Sequence, residues 1–177
     1  MKDIELKVII ELLKNSRRSD RELSKAIGVS QPTVSRTIDR LKKQGYIKEF
    51  TIIPDFKKLG FQVMSIVLSS VKEKVTPEQI EESRRMIRRE EKENPNAVLV
   101  GYSGMGLDSD RAAIVLSEDY SQYAAFTRHA KEHPLVDVEH IASFIIDMSD
   151  ESHYLPLTFS QVARYLEKKV SSHQSGS

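Results

Sequence analysis

The apolar positions at the start of the chain recur with a helical period and predict a pair of short amphipathic helices. The first covers residues 3–14. The second begins at a capping box, in which the side chains of Ser19 and Glu22 each accept from the other residue's backbone amide, and it ends at Gly28. We expect their buried faces to be aliphatic: Ile4, Val8, Ile9, Leu12 and Leu13 in the first helix, and Leu23, Ala26 and Ile27 in the second.

A third helix follows after a short gap and has clear start and stop signals. Ser30 is a suitable N-cap, and Pro32 lies in the first turn, where its missing N–H is harmless. Gly45 is placed to end the helix in a left-handed conformation. Helices joined by a tight glycine turn in this way are typical of a helix-turn-helix. The apolar stripe of this helix consists of Val34, Ile38 and Leu41.

The polar face of the third helix carries side chains that suit the major groove of DNA. Arg bonds bidentately to guanine, Gln bonds to adenine, and Thr contacts a thymine methyl group or a phosphate. An ordinary solvated helix is the alternative interpretation of the same pattern. We predict base and phosphate readout by Gln31, Thr33, Ser35, Arg36 and Arg40, with phosphate contacts from Ser30, Lys42, Lys43 and Lys48.

An alternating, β-rich run comes directly after the third helix. Residues 46–53 predict a short β-element at the position where a wing follows a recognition helix, and Lys48 would reach a phosphate from it. A simple linker strand is the alternative. Pro54 and Asp55 close the run, and residues 54–61 are predicted to be the hinge between two domains.

The pattern after the hinge alternates strands and helices in the order β-α-β-β-α-β. This is the order of a ferredoxin-like sandwich, in which two helices cover one face of an antiparallel sheet. Self-association would hide the other face. Ile80 and Ile87 are expected on the inward side of the first of the two helices. The predicted strands are 62–71, 97–103, 111–116 and 135–148, and the helices run from Thr76 to about Glu93 and from Asp119 to about His133.

A further amphipathic helix is predicted at residues 155–170, beyond the sandwich. It contains a capping box beginning at Thr158, and Val162, Tyr165 and Leu166 lie on one side of it. Residues 171–177 are expected to be a frayed tail. The predicted domains are a helix-turn-helix domain at 1–53, the hinge at 54–61, the βαββαβ domain at 62–150, and the C-terminal helix and tail at 151–177.

Charge is unevenly divided along the chain, although the net charge is only +1. Residues 1–53 hold 12 Lys/Arg and 7 Asp/Glu, whereas residues 54–177 hold 15 Lys/Arg and 19 Asp/Glu. A basic N-terminal segment joined to an acidic remainder indicates that the N-terminal segment binds nucleic acid. No apolar run approaches the roughly 20 residues that span a bilayer. The chain has no signal peptide and no cysteine, so we expect a cytoplasmic protein that binds no membrane.

Candidate catalytic and metal-binding groups are sparse. His129 and His133 are spaced one helical turn apart, but such pairs are usually surface residues near a helix C-terminus, where positive charge is favoured. The Gly104-Met105-Gly106 segment is better explained as a hairpin turn than as a phosphate cradle. We therefore expect no catalytic residues, no metal and no cofactor.

The second and third helices and the domain that follows them together resemble a known family. Residues 19–36 read Ser-Asp-Arg-Glu-Leu-Ser-Lys-Ala-Ile-Gly-Val-Ser-Gln-Pro-Thr-Val-Ser-Arg, and a βαββαβ domain follows. Over residues 3–148 the chain resembles the Lrp/AsnC (leucine-responsive, feast/famine) family of prokaryotic transcription regulators. Multidrug- and arsenic-type winged-helix repressors share the same sequence pattern in the helix-turn-helix. The second domain distinguishes the Lrp/AsnC family from these repressors.

The resemblance implies an α+β fold, in which a winged helix-turn-helix is joined to a ferredoxin-like domain. It implies a homodimer formed through the sheets, which can assemble further up to an octamer. The partners would be double-stranded DNA and a small-molecule effector such as an amino acid. The DNA would be a pseudo-palindromic operator whose half-sites lie a whole number of helical turns apart. The effector loop lies between the second and third strands and is longer here than in the family, over residues 104–110. Its candidate residues are Gly104, Met105, Gly106 and Asp108.

An enzyme class shares this two-domain layout and is kept as an alternative. Some relatives resemble sirohaem decarboxylases, in which the helix-turn-helix no longer serves DNA and His and Arg side chains handle a tetrapyrrole. A stand-alone sensing module is a third option. The basic outer surface of the third helix favours the interpretation as a transcription regulator, because a DNA-binding surface would serve no purpose in an enzyme. That surface carries Arg36, Arg40, Lys42 and Lys43.

Overall fold

The computed structural model describes residues 2–71, 75–93, 97–133, 135–150, 152 and 157–174. The chain forms two compact units: the head unit, Met1–Pro54 with Tyr154–Ser177, and the sheet unit, Asp55–His153. The elements in chain order are α1 (Asp3–Lys14), α2 (Asp20–Ile27), α3 (Gln31–Lys43), β1 (Val63–Val71), α4 (Pro77–Glu93), β2 (Ala97–Gly106), β3 (Ser109–Ser117), α5 (Tyr120–Glu132), β4 (Val136–Asp147) and α6 (Ser160–Gln174).

The ends of α1, α2 and α3 lie where the sequence signals predicted them. The backbone N–H of Ser19 donates to Oε2 of Glu22 at 2.8 Å, and the Ser19 hydroxyl accepts from the Glu22 amide at 3.3 Å, which completes the capping box of α2. Gly28 ends α2 with φ +80°, and Gly45 follows α3 with φ +75°. Both glycines therefore lie in the left-handed region that other residues rarely adopt.

The core of the head unit is aliphatic. Val8, Leu23, Val34 and Leu41 are fully buried and come from all three of the first helices. Thr37, which the sequence pattern did not place in the core, is buried as well. Its hydroxyl donates to the Thr33 carbonyl at 2.7 Å, and this bond satisfies the buried oxygen. The core prediction is wrong for Ala26, which is exposed. It is only partly right for six side chains that are half-buried, namely Ile4, Ile9, Leu12, Leu13, Ile27 and Ile38.

The C-terminal helix α6 is part of the head unit and packs along α1. It begins at Ser160 instead of at residue 155. Ala163 is fully buried, and the Nζ of Lys14 lies 2.6 Å from Oε1 of Glu167. The predicted apolar side is therefore wrong for Val162 and Tyr165, which are exposed, whereas the predicted Leu166 is half-buried and the inward side passes through Ala163.

Because α6 joins the head unit, the charge contrast between the units is larger than the linear division of the chain indicated. The head unit contains 15 Lys/Arg and 8 Asp/Glu, whereas the sheet unit contains 12 Lys/Arg and 18 Asp/Glu. The additional positive charges are Arg164, Lys168 and Lys169 of α6.

The sheet unit has the predicted βαββαβ order, and its strands form an antiparallel sheet in the order β2-β3-β1-β4. Helix α5 packs on one face of this sheet. On the other face, Ile66 of β1 pairs with Ile114 of β3 and with Phe144 of β4. Phe144 is 68% exposed, so the described structure leaves this face open to solvent.

The connection between β2 and β3 is a tight hairpin and not the long loop predicted from the sequence. Gly106 pairs with Ser109, and only Leu107 and Asp108 lie between the strands. These two residues have φ values of +53° and +52°, as a two-residue type I′ turn requires. The predicted loop residue Gly104 therefore belongs to strand β2.

The predicted β-element at residues 46–53 is absent from the structure. These residues are all described, and none of them is in a helix or strand. The turn after them belongs to the sheet unit: the amide of Leu59 donates to the Asp55 carbonyl at 3.2 Å, and the rings of Phe56 and Phe61 meet edge to face. No helix of the described residues is long and apolar enough to cross a membrane.

Candidate nucleic-acid interface

The N-terminus of α3 is held by paired hydroxyls. The Ser30 hydroxyl accepts from the Thr33 amide at 3.4 Å and lies 2.8 Å from the Thr33 hydroxyl. Ser30 is exposed and Thr33 is half-buried. Both predicted contact residues therefore help to cap α3, and the cap leaves the first turn of the helix ordered before any ligand is bound.

The outer side of α3 is a continuous polar surface. Gln31 and Ser35 are one turn apart, Ser35 and Lys42 are two turns apart, and Arg36 and Lys43 are also two turns apart. All five side chains are exposed. The opposite side of the helix is fixed in the core of the head unit, so these side chains are presented on a rigid element.

Arg40, in contrast, is engaged within the head unit. Its Nε donates to Oε1 of Glu5 at 2.6 Å, and Oε2 of the same carboxylate accepts from the Lys2 amide at 2.6 Å. Glu5 is only 4% exposed. The Lys2 amide and then the Arg40 guanidinium hold the pKa of Glu5 below its ordinary value. The structure thus gives Arg40 a structural role that the sequence did not indicate.

Lys48 lies outside any regular element. It is exposed, within the segment that follows Gly45 and that was predicted to form a wing. The neighbouring segment is attached to the head unit through the Ser16 hydroxyl, which donates to the Thr51 carbonyl at 3.3 Å. A phosphate contact from Lys48 would therefore come from an irregular loop and not from a strand.

Three exposed charged residues near α3 were missed by the sequence reasoning. Asp39 lies on the outer side of α3, between Arg36 and Lys43, and a carboxylate at such a position accepts from cytosine N4. Arg21 and Lys25 are exposed one turn apart on α2, the helix that crosses the DNA backbone in helix-turn-helix proteins. The i, i+4 spacing of Arg21 and Lys25 in the sequence already indicated that these two residues share one side of α2.

The candidate effector residues lie at the tip of the β2–β3 hairpin. Met105 is 97% exposed, and Gly104 and Gly106 are exposed beside it. Asp108 is exposed, and its carbonyl accepts from the Ser70 hydroxyl at 2.6 Å, which fixes the turn to β1. The tip is thus a projecting surface and not a cavity within one chain.

Metal binding has no support in the described part of the chain, where no group of three or more His, Asp or Glu side chains is arranged to hold an ion. His129 contacts Glu132, with Nδ1 at 3.7 Å from Oε2, one turn along α5. His133 contacts the hydroxyl of Ser83 on α4. The two histidines therefore make separate local contacts in the described structure.

Comparison with known proteins places the head among DNA-binding domains. Residues 1–48 match the family model described as winged helix-turn-helix DNA-binding. An uncharacterized HTH-type transcriptional regulator of Pyrococcus furiosus, PF2053, is 42% identical over 72 residues, which cover 41% of this chain and 48% of that protein. The HTH-type transcriptional regulator Ptr1 of Methanocaldococcus jannaschii is 29% identical over 135 residues, 76% of this chain and 84% of that protein.

A third relative, the HTH-type transcriptional regulator LrpC of Bacillus subtilis, is similar in both sequence and structure. It is 45% identical over 69 residues, which cover 39% of this chain and 48% of LrpC. Its solved structure gives a TM-score of 0.67 at 27% identity and covers 88% of this chain and 99% of that chain. In sequence, the matched segments span about half the length of PF2053 and of LrpC.

The head, the sheet unit and these likenesses define a helix-turn-helix DNA-binding domain joined to a ferredoxin-like domain. In fold, and over part of its sequence, the chain is similar to transcription regulators of the Lrp/AsnC type, among them LrpC.

Proposed function

We propose that the protein is a sequence-specific DNA-binding transcription regulator of the Lrp/AsnC type. It acts in the cytoplasm as a homodimer or higher oligomer on a pseudo-palindromic operator, and a small molecule modulates it. The observation that carries the proposal is the outer side of α3, where exposed polar and basic side chains stand on a helix whose inner side is fixed by Val34 and Leu41.

Each part of the interface has a distinct task in this proposal. Helix α3 enters the major groove, where Gln31 and Arg36 contact base edges, since amide and guanidinium groups pair bidentately with adenine and guanine. Lys42 and Lys43, near the end of the helix, contact phosphates and set the register. The excess of basic residues in the head unit supplies the attraction that is common to all DNA sequences.

The homodimer is proposed to form through the open face of the sheet. Ile66, Phe144 and Ile146 lie on this face, because Ile66 pairs with Phe144 and Ile146 pairs with the neighbouring Met64 two positions along β1. These three side chains are 36%, 68% and 36% exposed. Pairing of two such faces would bury them and would place two heads on one palindrome.

The effector is proposed to bind at the β2–β3 hairpin with a contribution from a second copy. Met105 offers an apolar contact, the exposed backbone at Gly104 and Gly106 is accessible to a carboxylate, and Asp108 would attract an ammonium group. An amino acid carries both of these charged groups. A projecting tip cannot enclose a ligand alone, so the site depends on assembly.

The proposed function is tested by selecting genomic fragments with the purified protein and footprinting the enriched site at two salt concentrations. A compact palindromic footprint that weakens steeply with salt is expected. Repeating the footprint with a panel of amino acids, using the wild type and Asp108→Asn, tests the effector site. Absence of any enriched fragment at low salt would refute the proposal, while enrichment without an amino-acid response would refute only the effector part.

A further inference from the structure

The helix-covered side of the sheet unit contains a cavity between α4, α5 and the sheet. Its volume is about 1220 Å³, and it adjoins a chamber of about 380 Å³ with which it shares lining residues on all four strands and on α5. We refer to this space as the α4–α5 cavity. Its apolar lining includes Ile80, Ile87, Val98, Val100, Phe126 and Leu135.

Two isoleucines of α4 show that the cavity is incompletely filled by the protein. Ile80 and Ile87 were predicted to be buried, yet they are 42% and 53% exposed while lining the cavity. Aliphatic surface in contact with water is unfavourable, and an occupant that covers it gains binding free energy. The adjoining chamber of about 380 Å³ is in the range of small-molecule sites, which run from about 300 to 1000 Å³, and the cavity itself is larger than that range.

A defined polar group faces the same space. The hydroxyl of Ser83 lies 3.1 Å from Nε2 of His133, and Nδ1 of His133 accepts from the Leu135 amide at 3.3 Å. In the neutral imidazole, the proton is then on Nε2, which donates to the Ser83 oxygen. The Ser83 hydroxyl hydrogen is consequently directed elsewhere and is available to an acceptor in the cavity. Ser83 itself is 8% exposed.

This arrangement does not favour nucleophilic catalysis by the pair. A general base must accept the serine proton, but Nε2 of His133 already carries one in the tautomer that the Leu135 amide selects. In this tautomer the Ser83–His133 pair offers a hydrogen-bond donor to a ligand and is not arranged as a nucleophile with its base.

The charged residues that line the cavity favour an anion. Among the described lining residues, Arg84, Arg89 and Arg111 are cationic, whereas Glu132 is the one carboxylate. Arg84 contacts Glu81 at 3.5 Å, at the exposed surface of α4, where the ion pair is weak. Its guanidinium can therefore turn toward a ligand at little cost.

We propose that the α4–α5 cavity binds a small molecule with an apolar body and one anionic group, of the medium-chain carboxylate class. The chain of the ligand lies against Ile80, Ile87 and Phe126, and its carboxylate accepts from Ser83 and pairs with Arg84. The site lies within one sheet unit and is separate from the hairpin tip. It does not depend on DNA binding, so its failure and that of the proposed function are distinguishable.

The test is isothermal titration of the full chain with decanoate, below its micelle concentration. The comparison ligands are decan-1-ol, which has the chain without the charge, and butyrate, which has the charge without the chain. Saturable binding of one decanoate per chain is expected, with both comparison ligands at least about tenfold weaker. Absence of saturable decanoate binding overturns the proposal, and equal affinity for decan-1-ol overturns the assigned ligand class.

Variants locate the site. Ser83→Ala and Arg84→Ala should each weaken decanoate about tenfold, since each removes a hydrogen bond to a charged group. Ile87→Glu should abolish binding, and this partly exposed position tolerates a charge without unfolding. Arg88→Ala is the matched control, because Arg88 is on the same helix and contacts Glu81 but does not line the cavity. If Ser83→Ala, Arg84→Ala and Ile87→Glu all bind decanoate as the wild type does, the ligand does not bind in the α4–α5 cavity.

Discussion

Arg40 of α3 and Glu5 of α1 form the ion pair that fixes the end of the recognition helix to the first helix. The Nε of Arg40 donates to the buried Glu5 carboxylate at 2.6 Å, although the two residues are 35 positions apart in sequence. A buried carboxylate that loses its cation is strongly unfavourable. The pair therefore positions α3, and we expect Arg40 to affect DNA binding chiefly through the structure it holds.

Arg40→Ala and Arg36→Ala should consequently have different effects, although both remove an arginine from α3. Arg40→Ala should lower the melting temperature of the protein and weaken DNA binding as a result. Arg36 is exposed, so Arg36→Ala should leave the melting temperature within about 2 °C of wild type and remove the preference for operator over random DNA. Calorimetry and competition gel shifts measure the two quantities. Normal operator preference in Arg36→Ala would show that Arg36 does not read bases.

Stability should fall in acid because of Glu5. Its pKa is lowered in the folded protein, first by the Lys2 amide and then by Arg40. The stabilisation is therefore fully present above the ordinary value of 4.5 and is lost as the pH falls through the lower folded pKa. Urea unfolding should give midpoints that drop below pH 4.5 for wild type and drop less for Glu5→Gln. Parallel pH profiles for the two proteins would contradict this assignment.

Several of the features that the sequence predicted correctly have local causes. The capping boxes at Ser19 and Thr76 each need only residues within one turn, and both form. The pairing of Glu5 with Arg40 could not be read from the sequence, because Glu5 also looks like an ordinary acidic residue of a first helical turn. The same holds for α6, since nothing local to Ala163 shows that α1 will cover it.

The β-structure shows the same division between local and distant causes. Residues 46–53 alternate like a strand, but a strand requires a neighbour, and the described head unit provides none. The hairpin itself was predicted, but its loop was predicted too long because the turn residues, Leu107 and Asp108, lack the Asn-Gly signal of a two-residue turn. The exposed polar side of α3 was predictable, but its contacts with DNA remain a prediction.

The glycines of the β2–β3 hairpin should differ in their tolerance of substitution. Gly106 has φ +140°, a conformation that L side chains rarely adopt, whereas Gly104 has no such constraint, and neither would clash through an added Cβ. Gly106→Ala should therefore cost about 1–3 kcal/mol of unfolding free energy. Gly104→Ala is the matched control and should change it by less than about 0.5 kcal/mol. Equal effects in urea unfolding would show that backbone strain is not the determining factor.

Overfilling the contact between α6 and α1 should destabilise the head. Ala163 is fully buried, so Ala163→Leu should cost about 1–3 kcal/mol. The neighbouring Arg164 is exposed, and Arg164→Leu should change the unfolding free energy by less than about 0.5 kcal/mol. Chemical denaturation of both variants measures the difference. A neutral Ala163→Leu would mean that α6 leaves α1 in solution.

Lys43 should contribute to DNA affinity without contributing to sequence preference. It is exposed in the last turn of α3, where a phosphate contact releases one counterion from DNA. Lys43→Ala should therefore weaken operator and random DNA by the same factor and reduce the slope of log affinity against log salt by about 1. Lys131→Ala removes an exposed positive charge from α5 of the sheet unit and should leave the slope unchanged. Fluorescence anisotropy at several salt concentrations gives both slopes. If the two variants have the same slope as wild type, Lys43 makes no phosphate contact; if both lower it, the effect comes from the overall charge of the protein and not from α3.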